Sequence, residues 1–207
     1  MKLYLIRHGE TDFNRRGIVQ GGGVDSDLND IGRQQALAFF KHYSHLKFDA
    51  LYASGLKRTH QTLAPWVDNQ NYRLQKSSAI NEFSWGWMEG KKPNKKMQHE
   101  FLELKKAWNN GQFDRGIEGG ETPISAWDRI KPFFDDVHQK HMGQQILVCA
   151  HGRTNRIILT QLLGMGMEKM GDFNHSNTGL NILNFDSQGN VSAEVINHTG
   201  HLEVINI

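Results

Sequence analysis

Five short apolar runs along the chain have the length and composition of buried strands. They are Lys2 to Arg7, Asp49 to Ala53, Gln145 to Ala150, Leu180 to Phe185 and Val191 to Ile196. The last two runs are separated by the turn sequence Asp186-Ser187-Gln188-Gly189-Asn190, which is typical of an antiparallel hairpin. The pattern therefore predicts a sheet with one antiparallel edge.

Helical periodicity fills most of the intervals between these strands. One helix is predicted to follow a cap at Asn29 or Asp30, a second a Ser54 cap, a third to run from about Thr122 to Lys140, and a fourth to start just after Gly152. The alternation of strands and helices predicts an α/β fold, a three-layer sandwich around a mostly parallel sheet.

The segment from about residue 83 to 120 interrupts this alternation. It contains the run Lys91-Lys92-Pro93-Asn94-Lys95-Lys96, a helical pattern around Phe101, Leu104 and Trp108, and a glycine-rich stretch from Gly116 to Gly120. We predict a single domain over residues 1–207, with this segment as a lid-like insertion over the sheet edge.

Composition and charge make several classes of protein poor matches. The 207 residues carry a formal net charge of +2, and the scattered basic residues lack the footprint of a nucleic-acid binder. No apolar run is long enough for a signal sequence or a membrane span, and the single cysteine, Cys149, cannot form an internal disulfide. We expect a cytoplasmic protein without nucleic-acid or membrane partners, and the sequence leaves its oligomeric state open.

Two histidine-glycine pairs follow predicted strands. Arg7-His8-Gly9 ends the first strand, and His151-Gly152 ends the strand from Gln145 to Ala150. Because parallel strands end at one edge of a sheet, the two imidazoles are expected to face each other there. An unprotonated imidazole can attack phosphorus when cations disperse the charge on the phosphoryl oxygens, and the guanidiniums of Arg7 and Arg58 suit that task.

A carboxylic acid near these groups would be needed to protonate a departing oxygen. Glu82 stands close to Trp85, Trp87 and Met88, and an acid in such apolar company is suited to general acid catalysis. Glu121 is the rival, although its place at the start of a predicted helix favours a partner of the helix dipole in its first turn. The sequence therefore favours Glu82.

These residues resemble the histidine phosphatase superfamily, also called the phosphoglycerate mutase-like family. The matching segments are Arg7-His8-Gly9-Glu10-Thr11 with Asn14; Gln20-Gly21 with Asp25-Ser26-Asp27-Leu28; Ser54-Gly55-Leu56-Lys57-Arg58-Thr59 with Gln61-Thr62; Asn81-Glu82 with Met88-Glu89-Gly90; Gly119-Gly120-Glu121-Thr122; and Ala150-His151-Gly152. The resemblance implies a phosphohistidine intermediate on His8, a phosphate pocket of Arg7, Arg58 and His151, an acid/base at Glu82, and neither metal nor cofactor. Asn14, Gln20, Gly21 and Gly152 would line the substrate.

The resemblance favours a phosphatase acting on a small phosphorylated metabolite. Mutases of the family carry a longer insertion with paired arginines that hold a second phosphate, whereas this chain offers Lys95, Lys96 and an isolated Arg115. A phosphoglycerate mutase-type transferase and a non-catalytic phospho-ligand binder remain alternatives. A zinc site at His8 and His151 is disfavoured, because it lacks further ligands and Arg7 would repel the cation.

Three features leave the substrate open. The family commonly has a proline where this chain has Asp27, and Gly22-Gly23-Val24 lengthens the loop after Gly21 by one residue. Both departures predict an altered mouth of the site with the same phosphoryl chemistry. The lysines of the 91–96 stretch either bind an anionic substrate or form a solvated face.

Overall fold

The computed structural model describes residues 1–204. Its strands are β1 (Lys2–Arg7), β2 (Ala50–Ser54), β3 (Leu74–Ser77), β4 (Gln145–Ala150), β5 (Leu180–Phe185) and β6 (Val191–His198). Its α-helices are α1 (Asp12–Arg15), α2 (Asp30–Tyr43), α3 (Lys57–Gln70), α4 (Lys95–Asn109), α5 (Pro123–Lys140) and α6 (Gly152–Leu162). Among residues 1–204, none of the helices has the length and hydrophobicity of a membrane-spanning segment.

The strands form one mixed sheet in the order β3-β2-β4-β1-β5-β6. The first four of these are parallel, and β5 and β6 add an antiparallel edge. In the register of β1 with β4, Arg7 is paired with Ala150, so that both histidine-glycine pairs leave the sheet at the same edge. The predicted fold class is confirmed, and this register is what assembles the site.

The core lies on both faces of the sheet because successive strand residues point to opposite sides. Leu3 and Leu5 of β1 belong to the cluster that includes side chains of α4, α5 and α6. Tyr4 and Ile6 belong to the cluster that includes side chains of α2 and α3. Two helical layers therefore enclose the sheet, as the three-layer prediction required.

The predicted helix caps are partly right. The Asn29 side chain accepts the Gly32 N–H and starts α2, and Thr122 forms a capping box that starts α5. The prediction that Ser54 caps the second long helix is wrong, since α3 begins at Lys57 after Leu56 and has no side-chain cap. The Ser54 hydroxyl instead accepts the Leu56 N–H at 3.1 Å and contacts His151, so it belongs to the site.

The segment from residue 83 to 120 packs into the main core. Met97, Leu104 and Trp108 of α4 share one hydrophobic cluster with Leu3 and Leu5 of β1. Trp108 is 3% exposed, so burial of an aromatic side chain holds α4 against the domain. This arrangement places α4 beside the edge of the sheet from which the site residues emerge.

Candidate active site

His8 is held as a neutral imidazole with one free nitrogen. Its backbone N–H donates to the Ala150 carbonyl at 3.0 Å, and its Nδ1 lies 2.7 Å from the Gly9 carbonyl oxygen. Because a carbonyl only accepts, Nδ1 carries the proton and Nε2 keeps its lone pair. Burial, reinforced by Arg58 and Arg7, lowers the pKa of His8 well below its usual value. The side chain therefore has the protonation state of a nucleophile.

The turn that carries His8 requires glycine at position 9. A Cβ on Gly9 would lie 2.6 Å from the backbone carbonyl oxygen of Gly32, at the start of α2. Real side chains do not tolerate so short a contact with backbone. Gly9 therefore lets the chain after β1 approach α2 and holds the His8 ring over the sheet edge.

His151 faces His8 from the end of β4, with 5.2 Å between the ring centroids. The Arg58 Nε–H donates to its Nδ1 at 3.2 Å, so Nε2 carries the proton and donates to the Ser54 hydroxyl at 2.8 Å. Ser54 in turn lies 3.0 Å from the hydroxyl of Thr59. In this arrangement both nitrogens of His151 have protein partners, and the ring fixes the guanidinium of Arg58.

Arg58 is fully buried and reaches the loop that the sequence predicted to be lengthened. Its Nη1–H donates to the Val24 carbonyl at 2.6 Å, and its Nη2–H to the Gly21 carbonyl at 3.4 Å. Glu89 anchors the same loop, since its Oε2 accepts the Gly23 N–H at 2.8 Å. Burial lowers the pKa of Arg58 to about 10, so the side chain stays charged at neutral pH. The extra loop residue therefore supports Arg58 rather than displacing it.

Arg7 presents an unused donor to the site. Its Nη1–H donates to the His175 carbonyl at 2.6 Å, while its buried Nε has no partner within the described residues. Gly152 lies beside that Nε, and a Cβ at this position would be in ordinary van der Waals contact with it, at 3.5 Å. A buried N–H without an acceptor is costly unless a ligand supplies one.

Glu82 lies at the N-terminus of α6, in a more polar setting than the sequence indicated. Its Oε1 accepts the N–H groups of Phe83 at 2.9 Å and Thr154 at 3.0 Å, with the Thr154 hydroxyl at 3.1 Å. Among residues 1–204, its Oε2 accepts a hydrogen bond only from the Arg153 N–H, at 3.3 Å. The first turn of α6 thus fixes the carboxylate and leaves Oε2 as the less engaged oxygen.

Glu121, the rival acid, is tied to an arginine. Its two oxygens accept a fork of N–H groups from Arg129 at 2.7 and 2.8 Å, and Oε2 also accepts the Ser84 N–H. Arg129 reaches on to the carbonyls of Ala79 and Asn81. The interpretation of Glu121 as a partner in the first turn of α5 is wrong, because it precedes the Thr122 cap. It clamps the segment that carries Glu82.

Asn14 and Gln20 form a hydrogen-bonded chain next to His8. The Asn14 Oδ1 accepts the Thr11 N–H at 3.2 Å, and the Gln20 Nε2–H donates to the Thr11 hydroxyl at 2.6 Å. Asn177, which the sequence analysis did not single out, donates to the His8 carbonyl at 2.9 Å and to the Asn14 Oδ1 at 3.4 Å.

A cavity of about 250 Å³ opens at this edge and is lined by Arg7, Glu82, Trp85 and Gly152. Three further lining residues, Arg153, Arg156 and His175, were missed by the sequence analysis. The spacing of the two arginines on α6, directly after His151-Gly152, was a signal that could have identified them. His175 lies in no motif and reaches the cavity only through the loop before β5.

The donor set of the cavity favours an anion over a cation. Among residues 1–204, no group of three or more His, Cys, Asp or Glu side chains is arranged to hold a metal ion. Guanidiniums dominate the cavity instead, and they match phosphoryl oxygens in pairs.

Comparison with known families shows to which family the chain belongs. The profile of the histidine phosphatase superfamily (branch 1) matches residues 3–198. The chain belongs to the histidine phosphatase superfamily. The predicted family and fold class are confirmed, and the phosphatase names among the relatives support the classification of this chain as a phosphatase.

Several relatives cover nearly the whole chain. Phosphoserine phosphatase 1 of Hydrogenobacter thermophilus is 29% identical over 98% of this chain and 94% of its own length. A probable phosphatase of Schizosaccharomyces pombe is 31% identical over 98% of this chain and 91% of its own. A phosphoserine phosphatase of Entamoeba histolytica, solved with phosphoserine, has a TM-score of 0.83 at 25% identity, covering 97% of this chain and 98% of its own.

Proposed function

We propose that this histidine phosphatase is a metal-independent phosphomonoesterase that transfers the phosphoryl group of a small metabolite to His8 and then to water. One observation carries the proposal. His8 is a buried imidazole whose Nδ1 proton is held by the Gly9 carbonyl, and burial together with the charges of Arg58 and Arg7 lowers its pKa so that the ring is neutral. A nucleophile in that state needs no base to activate it.

In the first step, the Nε2 lone pair of His8 attacks phosphorus and the ester P–O bond breaks. Arg7 and Arg58 disperse the charge on the three phosphoryl oxygens, a role that preorganised donors perform without a metal. Glu82 gives a proton to the departing alkoxide through Oε2, the oxygen with the single, longer hydrogen bond. The products are phosphohistidine and an alcohol.

In the second step, the Glu82 carboxylate takes a proton from water as the water oxygen attacks phosphorus. The P–N bond breaks, phosphate leaves, and His8 returns to its neutral form. His151 acts in this scheme by holding Arg58, through the bond from the Arg58 Nε–H to its Nδ1. Asn14, Gln20 and Gly21 shape the mouth, with Gly21 receiving Arg58 on its carbonyl.

The names of the relatives support a small phosphorylated substrate. Their names include phosphoserine phosphatase, 2-carboxy-D-arabinitol-1-phosphatase and fructose-2,6-bisphosphatase. The lone Cys149 is a free, buried thiol, which fits a reducing compartment.

The test is product analysis with enzyme pretreated with a chelator. 3-Phosphoglycerate is supplied with and without 2,3-bisphosphoglycerate, and released phosphate and 2-phosphoglycerate are both measured. The proposal predicts phosphate release that the chelator does not reduce. Formation of 2-phosphoglycerate that depends on the bisphosphate would identify a mutase, and activity lost to the chelator and restored by a metal ion would contradict metal independence.

A further inference from the structure

Arg153 and Arg156 give the cavity more positive charge than the phosphoryl chemistry uses. They lie three residues apart on α6, so their side chains share one face of the helix beside Glu82. Within residues 1–204, neither guanidinium donates a hydrogen bond to a protein acceptor or forms an ion pair. Arg153 donates a hydrogen bond to Glu82 through its backbone N–H, which leaves its guanidinium without an acceptor among these residues. Two neighbouring cations without acceptors repel each other and are costly to hold in a partly buried site.

The Arg153 side chain is held in place by aromatic rings. Its guanidinium carbon lies 5.3 Å from the ring centroid of Trp85 and 5.4 Å from that of Trp108. Cation–π contacts of this kind orient a guanidinium without occupying its N–H donors. Arg153 is therefore preorganised, with its hydrogen-bonding capacity still available.

His175 adds a third unused polar group. Its side chain is 8% exposed, and neither ring nitrogen has a partner among the residues that the structure describes. Burial, together with Arg156 and Arg7, lowers the pKa of His175 to about 3, so the ring is neutral and one nitrogen can donate. Its backbone carbonyl also holds Arg7, which fixes the ring beside the phosphoryl pocket.

The position of these groups relative to Glu82 defines what they can bind. Glu82 Oε2 marks the leaving oxygen in the proposed mechanism, and that same oxygen accepts the Arg153 N–H. A group attached to the leaving alcohol would thus extend along α6 towards Arg153 and Arg156, away from His8. The cavity of about 250 Å³ that these side chains line has room for a carboxylate or a phosphate at that position.

We propose that Arg153 and Arg156, with His175, form a subsite for a second anionic group, a carboxylate or a second phosphate, on the alcohol portion of the substrate. The inference rests on the proposed phosphomonoesterase function and narrows its substrates to phosphorylated acids or bisphosphates. It also assigns recognition of the second anionic group to arginines of α6 rather than to the lysines of the 91–96 stretch. Lys91 and Lys96 lie over the ring of Trp87, at 4.8 and 4.9 Å from its centroid, and all four lysines are exposed.

The test compares substrates that share a leaving group. 3-Phosphoglycerate and glycerol 3-phosphate are both phosphates of a primary alcohol and differ by one carboxylate. Fructose 1,6-bisphosphate and fructose 6-phosphate report in the same way on a second phosphate. We expect kcat/KM of the wild-type protein to be about 10- to 100-fold higher for the doubly anionic member of at least one pair. This ratio corresponds to the free energy that hydrogen bonds to a charged group contribute. The pair that shows the preference identifies the anion.

The variants are Arg156→Gln and the double variant Arg153→Gln/Arg156→Gln, with Arg33→Gln on the exposed face of α2 as the matched control. The preference should fall about tenfold or more in Arg156→Gln and towards unity in the double variant, and Arg33→Gln should retain it. Arg153 contacts Trp85 and Trp108, so Arg156→Gln, which leaves Arg153 in place, is the variant that decides if the double variant does not fold.

Two kinds of failure are distinguishable. A wild-type protein that hydrolyses 4-nitrophenyl phosphate but has no preference within either pair would overturn the subsite alone. A preference that survives the double variant would also overturn it. Absence of His8-dependent hydrolysis on every substrate would overturn the proposed function.

Discussion

Replacing Glu82 by glutamine should slow phosphorylation of His8 in proportion to how much the leaving group needs a proton. The glutamine oxygen can replace Oε1 and keep the N–H bonds of Phe83 and Thr154. Its amide nitrogen would then face the Arg153 N–H, which loses only the 3.3 Å bond. A hydrogen bond to a charged group is worth about 1.5–3 kcal/mol, which is less than the roughly 5–15 kcal/mol that stabilises a typical domain, so the fold should persist.

The chemical effect should be larger and selective. General acid catalysis typically contributes about 10²–10⁴-fold, which corresponds to roughly 2.7–5.5 kcal/mol of barrier. Glycerol 3-phosphate expels a basic alkoxide and should show this full loss. 4-Nitrophenyl phosphate expels a stable phenolate and should lose less than about tenfold.

Single-turnover measurement of His8 phosphorylation is the appropriate assay, because Glu82 also serves as base in the second step and steady-state rates would fall on both substrates. With 4-nitrophenyl phosphate, Glu82→Gln should release a burst of one nitrophenolate per site and then stall as phosphohistidine. Glu121→Gln is the control, since a clamp on the Glu82 segment should affect both substrates alike. Equal losses on both substrates in Glu82→Gln would refute the role of Glu82 as the acid.

Three other outcomes follow from the charges around the site. Vanadate, which mimics pentavalent phosphorus, should inhibit, and Arg58→Gln should weaken that inhibition at least tenfold; unchanged inhibition would contradict a role for Arg58 in charge dispersal. Because burial holds the pKa of His175 at about 3, the unfolded chain takes up a proton near pH 6.5 that the folded chain refuses, so stability falls with decreasing pH. Urea titrations measure how much the unfolding free energy decreases between pH 6.5 and pH 5, and this decrease should be roughly 2 kcal/mol smaller in His175→Asn than in the wild type. An equal decrease in both proteins would show that His175 is protonated in the folded state. Serine at all four lysines of the 91–96 stretch should leave kcat/KM on 3-phosphoglycerate unchanged at low salt, whereas a rise in KM would restore the lysines as a substrate-binding surface.

The sequence predicted the sheet well because its central strands are buried on both faces. β1, β4 and β5 consist of apolar runs whose ends in the structure match the prediction. β3 was missed because Leu74–Ser77 is a short edge strand with two exposed side chains and no apolar pattern. α1 was missed because four residues cannot establish a helical period.

The candidate site was predictable where motifs carry it and unpredictable where long-range contacts do. His8 and His151 converge because parallel strands end together, which a sequence can reveal. The bond between Arg58 and His151 spans 93 positions, and the one between Thr154 and Glu82 spans 72. His175 enters through a loop before an antiparallel strand, so its proximity to Arg7 depends on the pairing of β5 with β1.

Trapping the phosphoenzyme is the direct test of a phosphohistidine intermediate on His8. Wild-type protein is mixed with ³²P-labelled 3-phosphoglycerate, quenched in alkali within milliseconds and digested, and the labelled peptide is sequenced. We expect a base-stable, acid-labile label on His8 that forms at least as fast as turnover and is absent from His8→Ala. Turnover without such a label, or an undiminished label in His8→Ala, would contradict it.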